Sequence, residues 1–203
     1  MTKEKLLLEL QNVGILKSLH IRQALEYIDR GDFLPKDYLG DFYINTPIAI
    51  GFGQTNSQPL TVVFMLELLD VKPGQKILDL GSGSGWTAAL LTFLVGKNGA
   101  VTGVEKVKEL IEFGQNNLAK YHFKNSKIFP AKDGEFGIRG EKFERILVSA
   151  AYVKIPEELL EQLEIGGVMV IPVNNSIFKI VKIAENKITK KEFTGFSFVP
   201  LIL

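Results

Sequence analysis

Ile77-Leu78-Asp79-Leu80-Gly81-Ser82-Gly83-Ser84-Gly85-Trp86 joins a short apolar run to a helical pattern through a turn that carries three glycines. A buried strand ending in such a turn lets a ligand approach the backbone closely, and the following helix offers unpaired amide donors at its N-terminus. Twenty residues beyond Gly85 the next strand-like run ends at Glu105, whose carboxylate is placed to accept hydrogen bonds from the two hydroxyls of a ribose. The glycines run G-x-G-x-G rather than the G-x-G-x-x-G of dinucleotide sites. Asp79, two residues before Gly81, would repel a pyrophosphate and suits a ligand with a cationic amino group or sulfonium. No Gly-Lys-Ser/Thr follows the turn, which excludes a P-loop.

Outward from this turn, strands and helices alternate. Val62–Leu69 reads as a helix stopped by Lys72-Pro73-Gly74, Lys76–Leu80 as a strand, Thr87–Val95 as a helix, and Ala100–Val104 as a strand. Val107–Lys120 is helical, Lys127–Phe129 and Arg145–Val148 are strands, Pro156–Leu163 is a helix and Gly167–Val173 a strand. Alternation of this kind predicts crossover connections and a largely parallel, doubly wound sheet. Ile177–Ala184 and Lys187–Thr194, joined at Glu185-Asn186, predict antiparallel strands at one edge, and Ser197–Leu203 reads as a further strand. Leu6, Leu7 and Leu10, then Leu19, Ile21, Leu25 and Ile28, mark two N-terminal helices. Between them and the core, Asp32–Pro59 is broken by Pro35, Gly40, Pro47, Gly51 and Gly53, a length of loop that is usually functional. With no linker or repeat, the expectation is one domain over 1–203: N-terminal helices and loop (1–60), a ligand-binding core (61–175) and C-terminal strands (176–203).

Composition narrows the chemistry. The chain has 203 residues with 24 basic and 23 acidic side chains, so no overall charge draws it to nucleic acid or an anionic membrane. There is no cysteine, which rules out thiolate catalysis and disulfides, and His20 and His122 are too few for a histidine-rich metal centre. No signal-like or membrane-spanning run is visible, and a cytoplasmic location is expected. The tail lysines Lys179, Lys182, Lys187, Lys190 and Lys191 read as the solvated side of edge strands.

The glycine turn, Asp79 and Glu105 together resemble the S-adenosylmethionine site of Rossmann-like methyltransferases. That resemblance implies an α/β fold of that type and a cofactor site of Asp79, Gly81, Ser82, Gly83, Gly85 and Glu105, with Asp133 and Gly134 beside the adenine and S-adenosylhomocysteine as product. The stretch Tyr43-Ile44-Asn45-Thr46-Pro47-Ile48-Ala49-Ile50-Gly51-Phe52-Gly53-Gln54-Thr55-Asn56-Ser57-Gln58-Pro59 is more distinctive still. With Arg30-Gly31-Asp32-Phe33-Leu34-Pro35, Asp133-Gly134, Val148-Ser149-Ala150-Ala151, Ile171-Pro172-Val173 and Phe198-Val199-Pro200-Leu201, it resembles the protein-L-isoaspartate O-methyltransferase family over nearly the whole chain. The resemblance implies methyl transfer to the α-carboxylate of L-isoaspartyl residues in damaged proteins, after which the ester collapses to a succinimide. A carboxylate is already ionised at pH 7, so the reaction needs alignment more than a base.

By the same resemblance Ser57 is the active-site residue, and Gln54, Thr55 and Asn56 belong to the substrate loop. No metal and no nucleic-acid partner is expected. The chain departs from the family pattern at Asn45 (commonly aspartate), Ala49 (proline), Asn56 (isoleucine or valine), Leu60 (histidine) and Lys132 (glycine). Because Asn56 and Leu60 flank Ser57, two alternatives stand beside isoaspartyl repair. One is a methyltransferase for another carboxylate or a nucleic acid. The other is a cofactor-binding protein without activity.

Overall fold

The computed structural model describes residues 1–202, and its centre is a seven-stranded sheet. In chain order the strands are β3 (Lys76–Leu80), β4 (Ala100–Glu105), β5 (Ser126–Pro130), β6 (Phe143–Val148), β7 (Leu163–Val173), β8 (Ser176–Ala184) and β9 (Lys187–Thr194). A separate hairpin, β1 (Ile48–Gly51) and β2 (Gln54–Asn56), precedes them. The helices are α1 (Lys3–Asn12), α2 (Leu19–Tyr27), α3 (Pro59–Leu69), α4 (Trp86–Val95), α5 (Lys108–Ala119) and α6 (Glu157–Gln162), with a 3-10 turn at Arg30–Phe33.

The sheet order is β5-β4-β3-β6-β7-β8-β9, parallel from β5 to β7 and antiparallel from β7 to β9. From β3 the chain builds outward to β4 and β5, then returns to lay β6 on the other side of β3. The order therefore reverses at β3, and the carboxyl ends of β3, β4 and β6 bound the crevice where open α/β sheets bind ligands.

Apolar alternation along the strands buries both faces. Ile77, Val101, Ile128, Leu147 and Val170 face one cluster, which also takes in residues from α1 to α5. Leu78, Leu80, Val104, Ile146 and Met169 face the other, covered by Leu159 of α6, Phe136 and the C-terminal Leu201. The helices are thus unevenly shared between the faces. The β5–β6 connection carries no helix and covers its face with loop residues instead.

Three boundaries differ from the sequence reading. Ser197–Leu203 reads as a strand in the sequence, but residues 197–202 pair with the sheet only through an isolated bridge between Pro200 and Ala151. Pro200 removes a ladder donor, and the segment crosses the end of the sheet, with Ala151 N donating to Val199 O and Leu201 N to Ala151 O. Leu203 lies outside the described residues. The strand expected at Gly167–Val173 begins earlier, at Leu163, where a register shift against β6 accommodates Gly166 at φ +83°. The long loop also hides the β1–β2 hairpin, whose Gly51 and Gly53 both adopt positive φ. Among the described residues, no helix is long and apolar enough to cross a membrane.

Candidate active site

A cavity opens at the carboxyl ends of β3, β4 and β6. Its walls are the glycine turn after β3, Glu105 at the end of β4 with Lys106, Ala131 after β5, Ser149 and Ala150 after β6, the hairpin residues Gln54 to Ser57, and residues 199–202 of the C-terminal segment. The turn has its shape because Gly81, Gly83 and Gly85 sit at φ +80°, +50° and +86°, a region that side chains disfavour. Gly81 N donates to Val104 O at 2.8 Å, which anchors the turn to the neighbouring strand. Gly85 also approaches α5: a Cβ there would meet Gly114 O at 3.0 Å, and one on Gly114 would meet Ile128 Cδ1 at 2.6 Å. Gly114, not singled out in the sequence, lets α5 pack against the turn.

Glu105 stands where its spacing predicted. Its Oε2 accepts from Gly83 N at 2.8 Å, and its Oε1 from Lys106 N at 2.8 Å and Val107 N at 2.9 Å. The carboxylate therefore secures the turn while lining the cavity, and of the roughly four acceptor sites on its two oxygens three are taken, which leaves one for a ribose hydroxyl.

Asp79 is one layer deeper than a residue at the mouth of the turn. It is wholly buried and reaches the cavity through neighbours: Thr87 Oγ1 donates to Oδ2 at 2.8 Å, and Ser149 Oγ lies 3.5 Å from Oδ1. Thr87 and Ser149 themselves line the cavity. Burial pushes the Asp79 carboxyl up to about 6, against the opposing pull of these hydroxyls.

Asp133 and Gly134 lie outside the cavity wall. The Asp133 side chain is 97% exposed and ion-paired with Lys106, whose ammonium holds its carboxyl below the usual range. Ala131, two residues earlier, is the wall residue from this loop.

A second groove adjoins the first, formed by Pro47, Thr55, Ser57, Gln58, Thr61, Ser149 and residues 197–199. Thr55, Ser57, Ser149 and Val199 border both spaces. Ser57 thus stands on the partition, while Gln54 borders only the first cavity. Asn56 borders the first cavity as well, but it is the buried member of the loop. In the sequence Ser149 is only one residue of a family-like motif, Val148-Ser149-Ala150-Ala151. It comes from the end of β6, some ninety residues from the loop, and only the fold reveals that it faces Ser57's partition.

What holds the loop is Arg30, which is 2% exposed and has no carboxylate partner among the described residues. Its Nε donates to Asn56 Oδ1 at 2.9 Å, Nη1 to the carbonyls of Phe42 (3.1 Å) and Ile44 (2.7 Å), and Nη2 to those of Thr46 (2.8 Å) and Ser57 (3.1 Å). All five N–H groups of the guanidinium are used. Its plane lies over Trp86, with Cζ 5.3 Å from the ring centroid. Burial lowers the Arg30 pKa to about 10, which leaves it cationic at neutral pH.

Two departures from the expected loop sequence have simple roles. Asn45 Oδ1 accepts from Leu60 N at 3.0 Å near the start of α3, as an aspartate oxygen would. Leu60 packs against the main apolar cluster. Among the described residues no group of three potential ligands is placed to hold a metal ion.

Comparison with known proteins is uniform. The family model described as Protein-L-isoaspartate(D-aspartate) O-methyltransferase (PCMT) matches residues 1–203. A protein-L-isoaspartate O-methyltransferase of Methanopyrus kandleri is 38% identical over 205 residues, covering 98% of this chain and 91% of that protein. Protein-L-isoaspartate O-methyltransferase 1 of Archaeoglobus fulgidus is 36% identical, covering 98% and 93%. The crystal structure of a Plasmodium falciparum beta-aspartate methyltransferase (PCMT) in complex with S-adenosyl-L-homocysteine superposes with a TM-score of 0.88 at 27% identity, covering 99% of this chain and 98% of that one.

Proposed function

The chain belongs to the protein-L-isoaspartate(D-aspartate) O-methyltransferase family, and from that premise we infer how its residues divide the work of methylating an isoaspartyl carboxylate. It is an S-adenosylmethionine-dependent protein carboxyl O-methyltransferase that initiates repair of L-isoaspartyl residues. The observation that carries the division of labour is the partition: Thr55, Ser57 and Ser149 border both the cavity beside the glycine turn and the adjoining groove.

The turn cavity suits the cofactor. Its backbone cradle depends on three glycines at positive φ, and Glu105 presents a carboxylate within it. Gly81, Ser82, Gly83 and Gly85 would lie along the cofactor, Glu105 would accept from a ribose hydroxyl, and Asp79 would favour its positive charge through Thr87 and Ser149. The adenine end falls to Lys106 and Ala131, with Asp133-Gly134 at the rim. Bound S-adenosylmethionine supplies an electrophilic methyl group on a sulfonium sulfur.

The groove takes the substrate peptide. Ser57, and Thr55 beside it, donate hydroxyl hydrogen bonds that orient the isoaspartyl α-carboxylate toward the partition without protonating it. The carboxylate oxygen attacks as the methyl–sulfur bond breaks, and the leaving electron pair stays on sulfur. No side chain need take up a proton, in keeping with a site that holds no histidine. Alignment of this kind supplies several kcal/mol, up to roughly 7–11 in favourable cases.

Residues 1–203 form one domain in this reading, because α1 and α2 share an apolar cluster with the sheet. Damaged proteins in general are its partners, and the cytoplasm is its proposed location.

The decisive experiment compares transfer of a labelled methyl group from S-adenosylmethionine to an isoaspartyl peptide and to its aspartyl twin. Base-labile label on the isoaspartyl peptide alone is expected. Equal labelling of both peptides, or of neither with cofactor binding intact, overturns the assignment of the groove.

A further inference from the structure

Asn56 lies between two parts of the molecule that the reaction must coordinate. Its Oδ1 accepts from Arg30 Nε at 2.9 Å, and its Nδ2 donates to Ser84 Oγ at 3.3 Å. The direction of this chain is set by chemistry. A guanidinium only donates, so the amide oxygen must face Arg30 and the amide NH2 must face the glycine turn. Ser84, in turn, has its carbonyl held by Asn117 Nδ2 at 3.0 Å and lines the cofactor cavity. Arg30, Asn56 and Ser84 are each no more than 3% exposed, so water does not readily replace any link.

At its other end the relay spreads into the whole substrate loop. The same guanidinium that holds Asn56 holds the carbonyls of Phe42, Ile44, Thr46 and Ser57. A displacement of the glycine turn at Ser84 is therefore felt by the loop backbone through three hydrogen bonds and two side chains, those of Asn56 and Arg30.

We propose that Asn56 is a positioning residue that couples occupancy of the cofactor cavity to the order of the Ser57 loop, so that cofactor binding tightens the groove for the peptide. The inference rests on the reading of the Ser57 loop as the substrate loop, but its structural part is testable with the cofactor product alone. An apolar residue of similar size at position 56 would leave Arg30 Nε and Ser84 Oγ each without this partner while the loop kept its carbonyl bonds to Arg30. Coupling energies between sites are commonly 1–3 kcal/mol, about 5- to 150-fold in affinity.

Hydrogen exchange followed by mass spectrometry, with and without S-adenosylhomocysteine, reads the coupling directly. In the wild type the ligand should slow exchange both in residues 81–87 and in residues 42–48, which Arg30 holds and which do not line the cofactor cavity. In Asn56→Leu, at a concentration of S-adenosylhomocysteine that saturates the variant, the slowing at 81–87 should persist while the slowing at 42–48 is lost. Turnover of the isoaspartyl peptide should fall about tenfold at saturating S-adenosylmethionine. If Asn56→Leu does not fold, Ser84→Ala severs the second link alone and should give the same loss at 42–48. A loop that responds equally in wild type and variant, or in neither, overturns the proposal. A loop that responds only in the wild type, in a protein that does not methylate the isoaspartyl peptide, supports the coupling and overturns the substrate reading instead.

Discussion

Replacing Glu105 tests the cofactor site at its most exactly specified point. Its carboxylate accepts three backbone hydrogen bonds, from Gly83, Lys106 and Val107, and lines the cavity with acceptor capacity to spare. A hydrogen bond to a charged group contributes about 1.5–3 kcal/mol. With one acceptor site left on the carboxylate, a single bond to a ribose hydroxyl accounts for about that amount, 1.5–3 kcal/mol. At about 1.4 kcal/mol per tenfold, Glu105→Ala should weaken S-adenosylhomocysteine binding by about 10- to 150-fold in titration calorimetry. Glu105→Gln keeps the shape but loses the charge and one acceptor, and should fall between wild type and alanine. Because the Gly83 amide is also released, the alanine variant should melt lower even without ligand. Affinity within threefold of wild type for Glu105→Ala would refute the ribose assignment. A lowered melting temperature with unchanged affinity would leave Glu105 as a fastener of the turn and nothing more.

The partition predicts that Ser57→Ala lowers kcat/KM for an isoaspartyl peptide by about 10- to 100-fold while S-adenosylhomocysteine affinity stays within threefold; equal losses would move Ser57 into the cofactor site. Arg30→Met leaves several buried carbonyls without a donor and should cost about 3–5 kcal/mol, seen as a fall in melting temperature of roughly 6–20 °C; a change below 3 °C would show that the loop does not depend on it. Burial raises the Asp79 carboxyl to about 6, above its value in the unfolded chain, so its neutral form favours folding. The empty protein should therefore gain stability from Asp79 as pH falls from about 6 toward 4, by at most ~3 kcal/mol, and Asp79→Asn should raise the melting temperature at pH 8. Cationic S-adenosylmethionine favours the ionised form, so its affinity should drop below about pH 6, and parallel affinity profiles for wild type and Asp79→Asn would contradict this. Asn45→Asp should leave both stability and turnover unchanged within error, because either oxygen accepts from Leu60 N, and a clear gain in turnover would show that the amide is a handicap.

Legibility in the sequence followed the range of the interaction. The G-x-G-x-G turn and the spacing to Glu105 are local consequences of a strand, a turn, a helix and a second strand, and both appear as read. Asp79 was found by the same spacing, but its depth was not, because burial depends on Thr87 and Ser149 packing over it. Arg30 shows the opposite case. In the sequence it is only the first residue of a family-like motif, and nothing near it signals burial. Its burial is possible only because five backbone carbonyls and an amide oxygen from residues 42–57 converge on it. The C-terminal segment was misread as a strand because its apolar content is that of one, whereas Pro200 and the position of Ala151 make it a wall.

By itself, then, the amino-acid order determined the alternating α/β architecture, the antiparallel edge, the cofactor turn and the family resemblance carried by residues 43–59. These depend on periodicity, on glycine at positive φ and on fixed short spacings, all of which are local properties of the chain. Only the tertiary structure decided that Ser57, Thr55 and Ser149 form one partition between two spaces, and that Asn56 faces inward to join Arg30 to Ser84. Those neighbours are separated by tens of residues, and their meeting is set by the order of strands around β3 and by satisfaction of buried polar groups, which no local pattern encodes.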